Sequence, residues 1–259
     1  MIVTTARKGA DVLAEKAQTC SEQLKASFIV RKENSVQDLM DIYGQDVLVV
    51  GKNKLTLHSK SGGDPFFYHP NSSMFRVKQF IKTGYDPLVE TAGLKEGMSF
   101  LDCTLGLASD SLVAQLAVGA TGSVTGLEAN PTLAYIVRNG LQSWLEGGKE
   151  MLEAMRRINV LPVNHSSYLA SLSDQSFDVV YFDPMFDQHL SDSTGIKGLK
   201  QFACHDDLNH QVIAHALRIA KTRVVLKDHF KSERFERFGF NVVKRQHATF
   251  HYGYINTQK

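Results

Sequence analysis

Asn241-Val242-Val243-Lys244-Arg245-Gln246-His247-Ala248-Thr249-Phe250-His251-Tyr252-Gly253-Tyr254-Ile255 contains two strand-like runs, 241–245 and 249–255, with only Gln246-His247-Ala248 between them. No helix fits in that gap, so the two runs are expected to pair as an antiparallel hairpin. Upstream the chain alternates instead. Phe100–Cys103 reads as a short apolar strand and Asp110–Val118 as a helix. Ser123–Leu127 is a second strand, followed by a helix opening at Pro131, a residue favoured in a first turn. Strands at Asn159–Val163, Phe177–Phe182 and Arg223–Leu226 follow, with a helix at Leu208–Ile219 before the last. Strands alternating with helices predict a parallel sheet covered on both faces. A dinucleotide dehydrogenase usually keeps a helix before its last strand, and here a hairpin takes that place.

Working toward the N-terminus, Ala10–Lys25 has the spacing of an amphipathic helix, and Ser27–Arg31, Asp46–Val50 and Lys54–His58 read as short strands. The expected organisation is a small α/β domain over 1–62, a connecting segment over 63–83, and the larger domain over 84–259. The 259 residues, 43% of them hydrophobic, suffice for one large core with an appendage. A net charge of +2 neither demands nor excludes a nucleic-acid partner. Cys20, Cys103 and Cys204 are scattered and form no CxxC pair, which argues against zinc and a disulfide framework and for a reducing cytoplasm. No HExxH or tight ligand cluster points to a metal, and no run approaches the roughly 18 apolar residues of a membrane span. A secretory signal is not expected, because Met1–Ala10 has no apolar core.

In an open parallel sheet, ligands bind beyond the carboxyl ends of the strands. After the first large-domain strand come Asp102, Gly106, Ser109 and Asp110; the glycine permits a tight turn, and the last two residues are equally able to cap a helix. After the second comes Glu128-Ala129-Asn130-Pro131. An acid about 20 residues past a glycine turn suits ribose hydroxyls, although a carboxylate at a helix start is also common. Sparse glycines and the lack of GxxxxGK[ST] disfavour a phosphate-rich nucleotide. Ser166 and Ser167 follow the third strand, where they suit either an adenine amino group or a helix start.

Tyr181-Phe182-Asp183-Pro184-Met185-Phe186 is the most specific stretch. An exocyclic base amine is a poor nucleophile because its lone pair is delocalised into the ring. Asp183 and the Pro184 carbonyl are suited to accept its two N–H groups and orient that lone pair. Phe186 is suited to stack on an extruded base; the alternative is a surface turn after a buried strand, with Phe186 in the core. Lys227, after the fifth strand, is a candidate contact for RNA phosphate or the substrate base, although a solvated lysine at a strand end is the commoner case. The long segment Asp187–Asp207, with Lys197 and Lys200, is a candidate lid or RNA contact. Cations of the first 82 residues, Arg76, Lys78 and Lys82 among them, lie near Phe66, Phe67, Tyr68 and Phe75. They suit either an RNA-binding surface or a solvated face beside a packing seam.

The segments Phe100–Asp110, Leu127–Pro131, Ser166-Ser167, Tyr181–Phe186 and Val224–Lys227 together resemble, in order and spacing, the bacterial methyltransferase J family. That family methylates the N2 amino group of a guanine in 16S ribosomal RNA. The resemblance covers roughly residues 84–230. It implies a Rossmann-like class I α/β fold, a mostly parallel seven-stranded sheet ending in an antiparallel hairpin. It also implies S-adenosylmethionine as cofactor and an RNA partner, ribosomal RNA or the small ribosomal subunit. By the same resemblance, Ser109, Asp110, Glu128, Ala129, Ser166, Ser167 and Asp183 contact the donor, so Asp183 carries two open roles. The chain departs from the family at Ala108 and Ser109, where a second glycine and a basic residue are usual, at Asp228-His229, and throughout 1–60. Rival readings are a methyltransferase of a small molecule or protein, and an RNA-binding module without catalysis.

Overall fold

A computed structural model of the chain describes residues 1–184, 199, 202, 208–246 and 248–257. Two sheets organise it. The first has strands β1 (Ile2–Thr5), β2 (Ser27–Phe28), β3 (Val47–Val50) and β4 (Leu55–His58), in the order β2-β1-β3-β4. β1 runs parallel to both neighbours, and β4 returns antiparallel to β3 across the Gly51–Lys54 turn. Helices α1 (Ala10–Gln23) and α2 (Val36–Tyr43) accompany this sheet. Two elements here go beyond the sequence reading. β1 is a fully buried Ile-Val-Thr-Thr run. α2 starts at a reciprocal cap, in which Ser35 Oγ accepts from Asp38 N and the Asp38 carboxylate accepts from Ser35 N.

The second sheet has strands β5 (Ser99–Asp102), β6 (Ser123–Leu127), β7 (Asn159–Leu161), β8 (Phe177–Phe182), β9 (Ala220–His229), β10 (Asn241–Val243) and β11 (Phe250–Asn256). Their order is β10-β11-β9-β8-β5-β6-β7. The five strands β5 to β9 are parallel, β11 is antiparallel to β9, and β10 is antiparallel to β11. The expected seven-stranded class I layout is therefore present, closing hairpin included. Val179–Phe182 on β8 and Val224–Leu226 on β9 are buried, as central parallel strands covered by helices require.

In sequence, α3 (Asn71–Thr83) and α4 (Pro87–Ala92) come between the strands of the two sheets. The larger domain adds α5 (Ser109–Val118), α6 (Pro131–Ser143), α7 (Lys149–Arg157), α8 (His165–Ser171) and a helix at His210–Ile219. α6 opens as its sequence predicts: Asn130 Oδ1 accepts from Thr132 N at 2.9 Å and Leu133 N at 3.3 Å, with Pro131 next. The two sheets share a core. Val3, Leu48 and Leu57 of the first belong to one buried cluster with Phe100 of the second, Leu133 and Ile136 of α6, and Tyr68 of the connecting segment. Tyr68 lies on α6 at Gly140, where its ring leaves no room for a side chain. Among the described residues no helix is long and apolar enough to cross a membrane.

Candidate functional site

The chain enters the second sheet at β5, moves outward to β6 and β7, then jumps back to β8 on the other side of β5. That reversal opens a crevice at the carboxyl ends of β5 and β8. Register places Asp102 beside Tyr181 on one side and Gly126 on the other. Asp183 and Glu128 therefore each stand two residues beyond a neighbour of Asp102, and the three acidic loops converge at one edge. Thr104 joins two of them. Its N–H donates to Asp102 Oδ1 at 3.0 Å, and its Oγ1 accepts from Asp183 N at 2.6 Å.

Each acid is held differently. Asp102 is buried and also accepts from Ser111 Oγ at 2.7 Å; burial pushes its pKa up to about 7. Glu128 is buried at the end of β6, where Oε1 accepts from Asn130 N at 2.9 Å, and burial raises its pKa. Asp183 Oδ2 accepts from Lys227 Nζ at 2.6 Å. Burial and the neighbouring Asp110 raise Asp183 to about 6 despite that lysine.

Asp110 is the hub of a buried charge network. Lys227 Nζ donates to its Oδ2 at 3.1 Å and Tyr181 Oη at 3.0 Å, while Arg76 Nη1 donates to its Oδ1. Although Asp110 is buried, Lys227 and Arg76 hold it well below the usual carboxylate range. Arg76 also grips Asp86 with two bonds, Nε at 2.6 Å and Nη2 at 2.8 Å. Asp86 in turn caps α4 by accepting from Leu88 N at 2.8 Å. Two shared carboxylates outweigh the burial of Lys227 and raise its pKa.

The structure thus brings Asp102, Asp110, Asp183 and Lys227 into one cluster, with Gly106 and Glu128 along the same edge. Gly106 has φ +50°, a left-handed turn natural for glycine. Ala108 adopts the same region at φ 61°, without glycine's freedom, and precedes Ser109 at the start of α5. Ala129 and Ser166 are half-buried and Ser167 is exposed. Asn164 caps α8 by accepting from Ser166 N at 2.8 Å, so the helix-start reading of the two serines has a structural basis. Pro184 is buried directly after Asp183. Met185, Phe186, Lys197, Lys200 and most of Asp187–Asp207 lie outside the described residues. Two described residues of that segment reach the crevice. Leu199 Cδ2 lies 3.6 Å from where a Cβ on Gly106 would stand, and Phe202 O accepts from Asn130 Nδ2 at 3.0 Å.

Lys227 is not a solvated cation; its side chain is 14% exposed and lies between two carboxylates. Arg76 is likewise committed to Asp86 and Asp110 rather than to an open surface. Thr104 and Ser111 are members of the site that the sequence alone does not single out, and Arg76 and Tyr181 enter it as partners of Asp110, a role the sequence does not give them. Thr104 and Ser111 lie within reach of such a reading, as hydroxyls flanking the β5 turn. Among the described residues no group of three or more His, Cys, Asp or Glu side chains could hold a metal ion.

Comparisons with known proteins agree with this geometry. A family model described as "Putative SAM-dependent methyltransferase" matches residues 40–242. The chain is 45% identical over 256 residues, 99% of both chains, to the Bacillus subtilis protein YpiP, whose name states no activity. It is 32% identical over 146 residues to the ribosomal RNA small subunit methyltransferase J of Coxiella burnetii, a match covering 54% of each chain. A Buchnera aphidicola protein of that name is 26% identical over 217 residues, 77% of this chain and 85% of the other. A solved SAM-dependent methyltransferase from Neisseria gonorrhoeae shares the fold at TM-score 0.62 and 15% identity, covering 100% of this chain and 96% of that one.

Proposed function

Because the chain belongs to the SAM-dependent methyltransferase family, whose cofactor is S-adenosylmethionine (SAM), we propose that it methylates an exocyclic base amine in RNA. The favoured target is guanine N2 of small-subunit ribosomal RNA, and the favoured setting is the cytoplasm. The observation that carries the reading is Asp183, an acid at the carboxyl end of β8 whose one oxygen is fixed by Lys227 at 2.6 Å. Pro184 follows it without an N–H of its own.

The donor set fits SAM. Its sulfonium and ammonium groups are cationic, and Asp102, Glu128 and Asp183 line one edge of the crevice with Lys227 as the nearby cation. Glu128 is placed for the ribose hydroxyls, the role an acid after the second strand serves in such sheets. Bound SAM supplies an already activated methyl group, so the protein's task is mainly positioning. The Asp183 oxygen turned from Lys227 and the Pro184 carbonyl accept the two N–H groups of the amine and direct its lone pair toward the methyl. Lys227 keeps Asp183 ionised and fixed in rotamer. Thr104 pins the same loop through the Asp183 backbone.

The RNA target is supported by the likeness to methyltransferase J proteins. The test has two parts. Calorimetry with S-adenosylhomocysteine checks the cofactor site. Incubation with labelled SAM and separate RNA, protein and metabolite pools checks the substrate. Label in RNA that disappears with Asp183→Ala supports the proposal; label in another pool, or full activity of Asp183→Ala, contradicts it.

A further inference from the structure

The hairpin that distinguishes this fold also walls a cavity of about 510 Å³ against α3 and α4. Arg76, Asp86 and Glu90 face it from the helices, and Lys244, Arg245 and Phe250 from the hairpin. We propose that this cavity is a second substrate subsite, one that takes the nucleotide next to the target base in the RNA strand. Its phosphate sits on Lys244 and Arg245, and its base lies against Tyr85. The inference rests on RNA being the substrate.

Position is the first argument. β11 pairs with β9 so that Tyr252 stands opposite Lys227 and Phe250 opposite His229. The cavity wall is therefore the strand adjoining the one that carries Lys227. Lys227 Nζ lies 4.9 Å from the centre of the Phe250 ring while it binds Asp183. A strand with its target base at Asp183 thus reaches the cavity with its next nucleotide.

Unanswered chemistry is the second. The Arg245 guanidinium lies over two rings, 4.7 Å from the centre of Phe250 and 5.9 Å from that of Tyr252. Its Nη1 is shielded from solvent and has no acceptor among the described residues. Buried donors are nearly always paired, so an unpaired guanidinium N–H beside a cavity calls for an incoming oxygen. A phosphate supplies that oxygen once the guanidinium turns slightly. Arg76, on the opposite wall, already has Asp86 and Asp110 and offers no such vacancy.

Charge then sets the direction of the strand. The hairpin end carries two cations, Lys244 and Arg245. The helix end carries Glu90, with Asp86 neutralised by Arg76. Phosphate is drawn to the hairpin and repelled from Glu90, whose carboxylate is suited to accept from base amino groups. Tyr85, 55% exposed among the cavity-lining residues, offers a stacking face of the kind used on single-stranded bases.

The test uses the protein of residues 1–259 with 16S ribosomal RNA from cells lacking the gene. Lys244→Gln combined with Arg245→Gln is expected to raise KM for RNA about tenfold, as removal of a charge-assisted hydrogen bond to phosphate would. Its kcat and its affinity for S-adenosylhomocysteine should stay at wild-type values. The salt dependence of RNA binding should weaken by about 0.7 in log–log slope for each phosphate that the variant no longer neutralises. Tyr85→Ala changes an exposed residue with little risk to folding and should raise KM about fivefold or more through weaker stacking. Unchanged KM and salt slope, against a wild type that methylates RNA, would overturn the subsite alone. A wild type that binds S-adenosylhomocysteine but methylates a protein or small molecule instead would overturn the RNA reading and the subsite together.

Discussion

Lys227 serves two carboxylates with one charge, Asp110 buried and Asp183 half-buried, and that imbalance dominates the site. Arg76 still answers Asp110 if the lysine is lost, but Asp183 then has no other cation among the described residues. Lys227→Met is expected to cost about 1–3 kcal/mol at neutral pH, the penalty for an unsatisfied polar group, because Asp183, already raised, takes up a proton once the lysine is gone. Urea unfolding measures it, and a variant as stable as the wild type would show that the pair is solvated. The acids also fix a pH response. Asp102 titrates at about 7 and Asp183 at about 6, both raised first of all by burial. The roles proposed for them need their ionised forms, which exist above these values, so methyl transfer should climb between pH 5 and 8. Stability should move the other way. Each folded pKa exceeds the unfolded value of about 3.9, so this contribution is complete below pH about 4 and is lost as pH rises through 6 and 7. Rate profiles and melts that are both flat from pH 5 to 8 would contradict the assignment. Asp102, Glu128 and Asp183 are legible in the sequence because each ends or follows an apolar run at a strand's carboxyl end. Arg76 is not, since its partner Asp110 is 34 residues away and only the fold brings them together.

Gly140 shows how packing overrules local preference at the scale of elements. It sits inside α6, where alanine normally stabilises a helix by about 0.5–1 kcal/mol. Here a Cβ would meet the Tyr68 ring at 2.2 Å. Gly140→Ala is therefore expected to destabilise by about 1–3 kcal/mol, the cost of overpacking, and thermal melts reveal the sign directly. A raised melting temperature would mean that Tyr68 yields freely. Elements with strong internal signals are readable: β6 and β8 span the residues their apolar runs predict. β1 escapes a sequence reading because only Ile2 and Val3 of its four residues are apolar. α2 escapes it although Ser35 and Asp38 carry a capping signature. β9 runs longer than its apolar run because its polar end, Lys227–His229, is paired with Phe250–Tyr252 on β11. Polar residues that face a site look like a strand's end until their neighbour is known.

Over the whole molecule, Arg76 is the clasp between the connecting segment and the second sheet. It joins α3 to the cap of α4 through Asp86 and to α5 through Asp110. Arg76→Met leaves two buried acids facing each other, so it should lower stability by about 3 kcal/mol or more and loosen the site as well. Denaturant melts and turnover on the same sample measure both, and a stable, fully active variant would show that Arg76 clasps nothing. Fold class is legible because it depends on the order of elements and on one short gap near the C-terminus. The shared core of the two sheets is not, because it depends on packing between residues as far apart as Val3 and Leu133.

The central claim is methyl transfer from SAM to a base amine in RNA, and mass spectrometry of the reacted nucleosides tests it most directly. Purified protein, isotopically labelled SAM and 16S ribosomal RNA from cells lacking the gene should yield labelled N2-methylguanosine. Intact binding of S-adenosylhomocysteine with no label in any RNA nucleoside would contradict the claim.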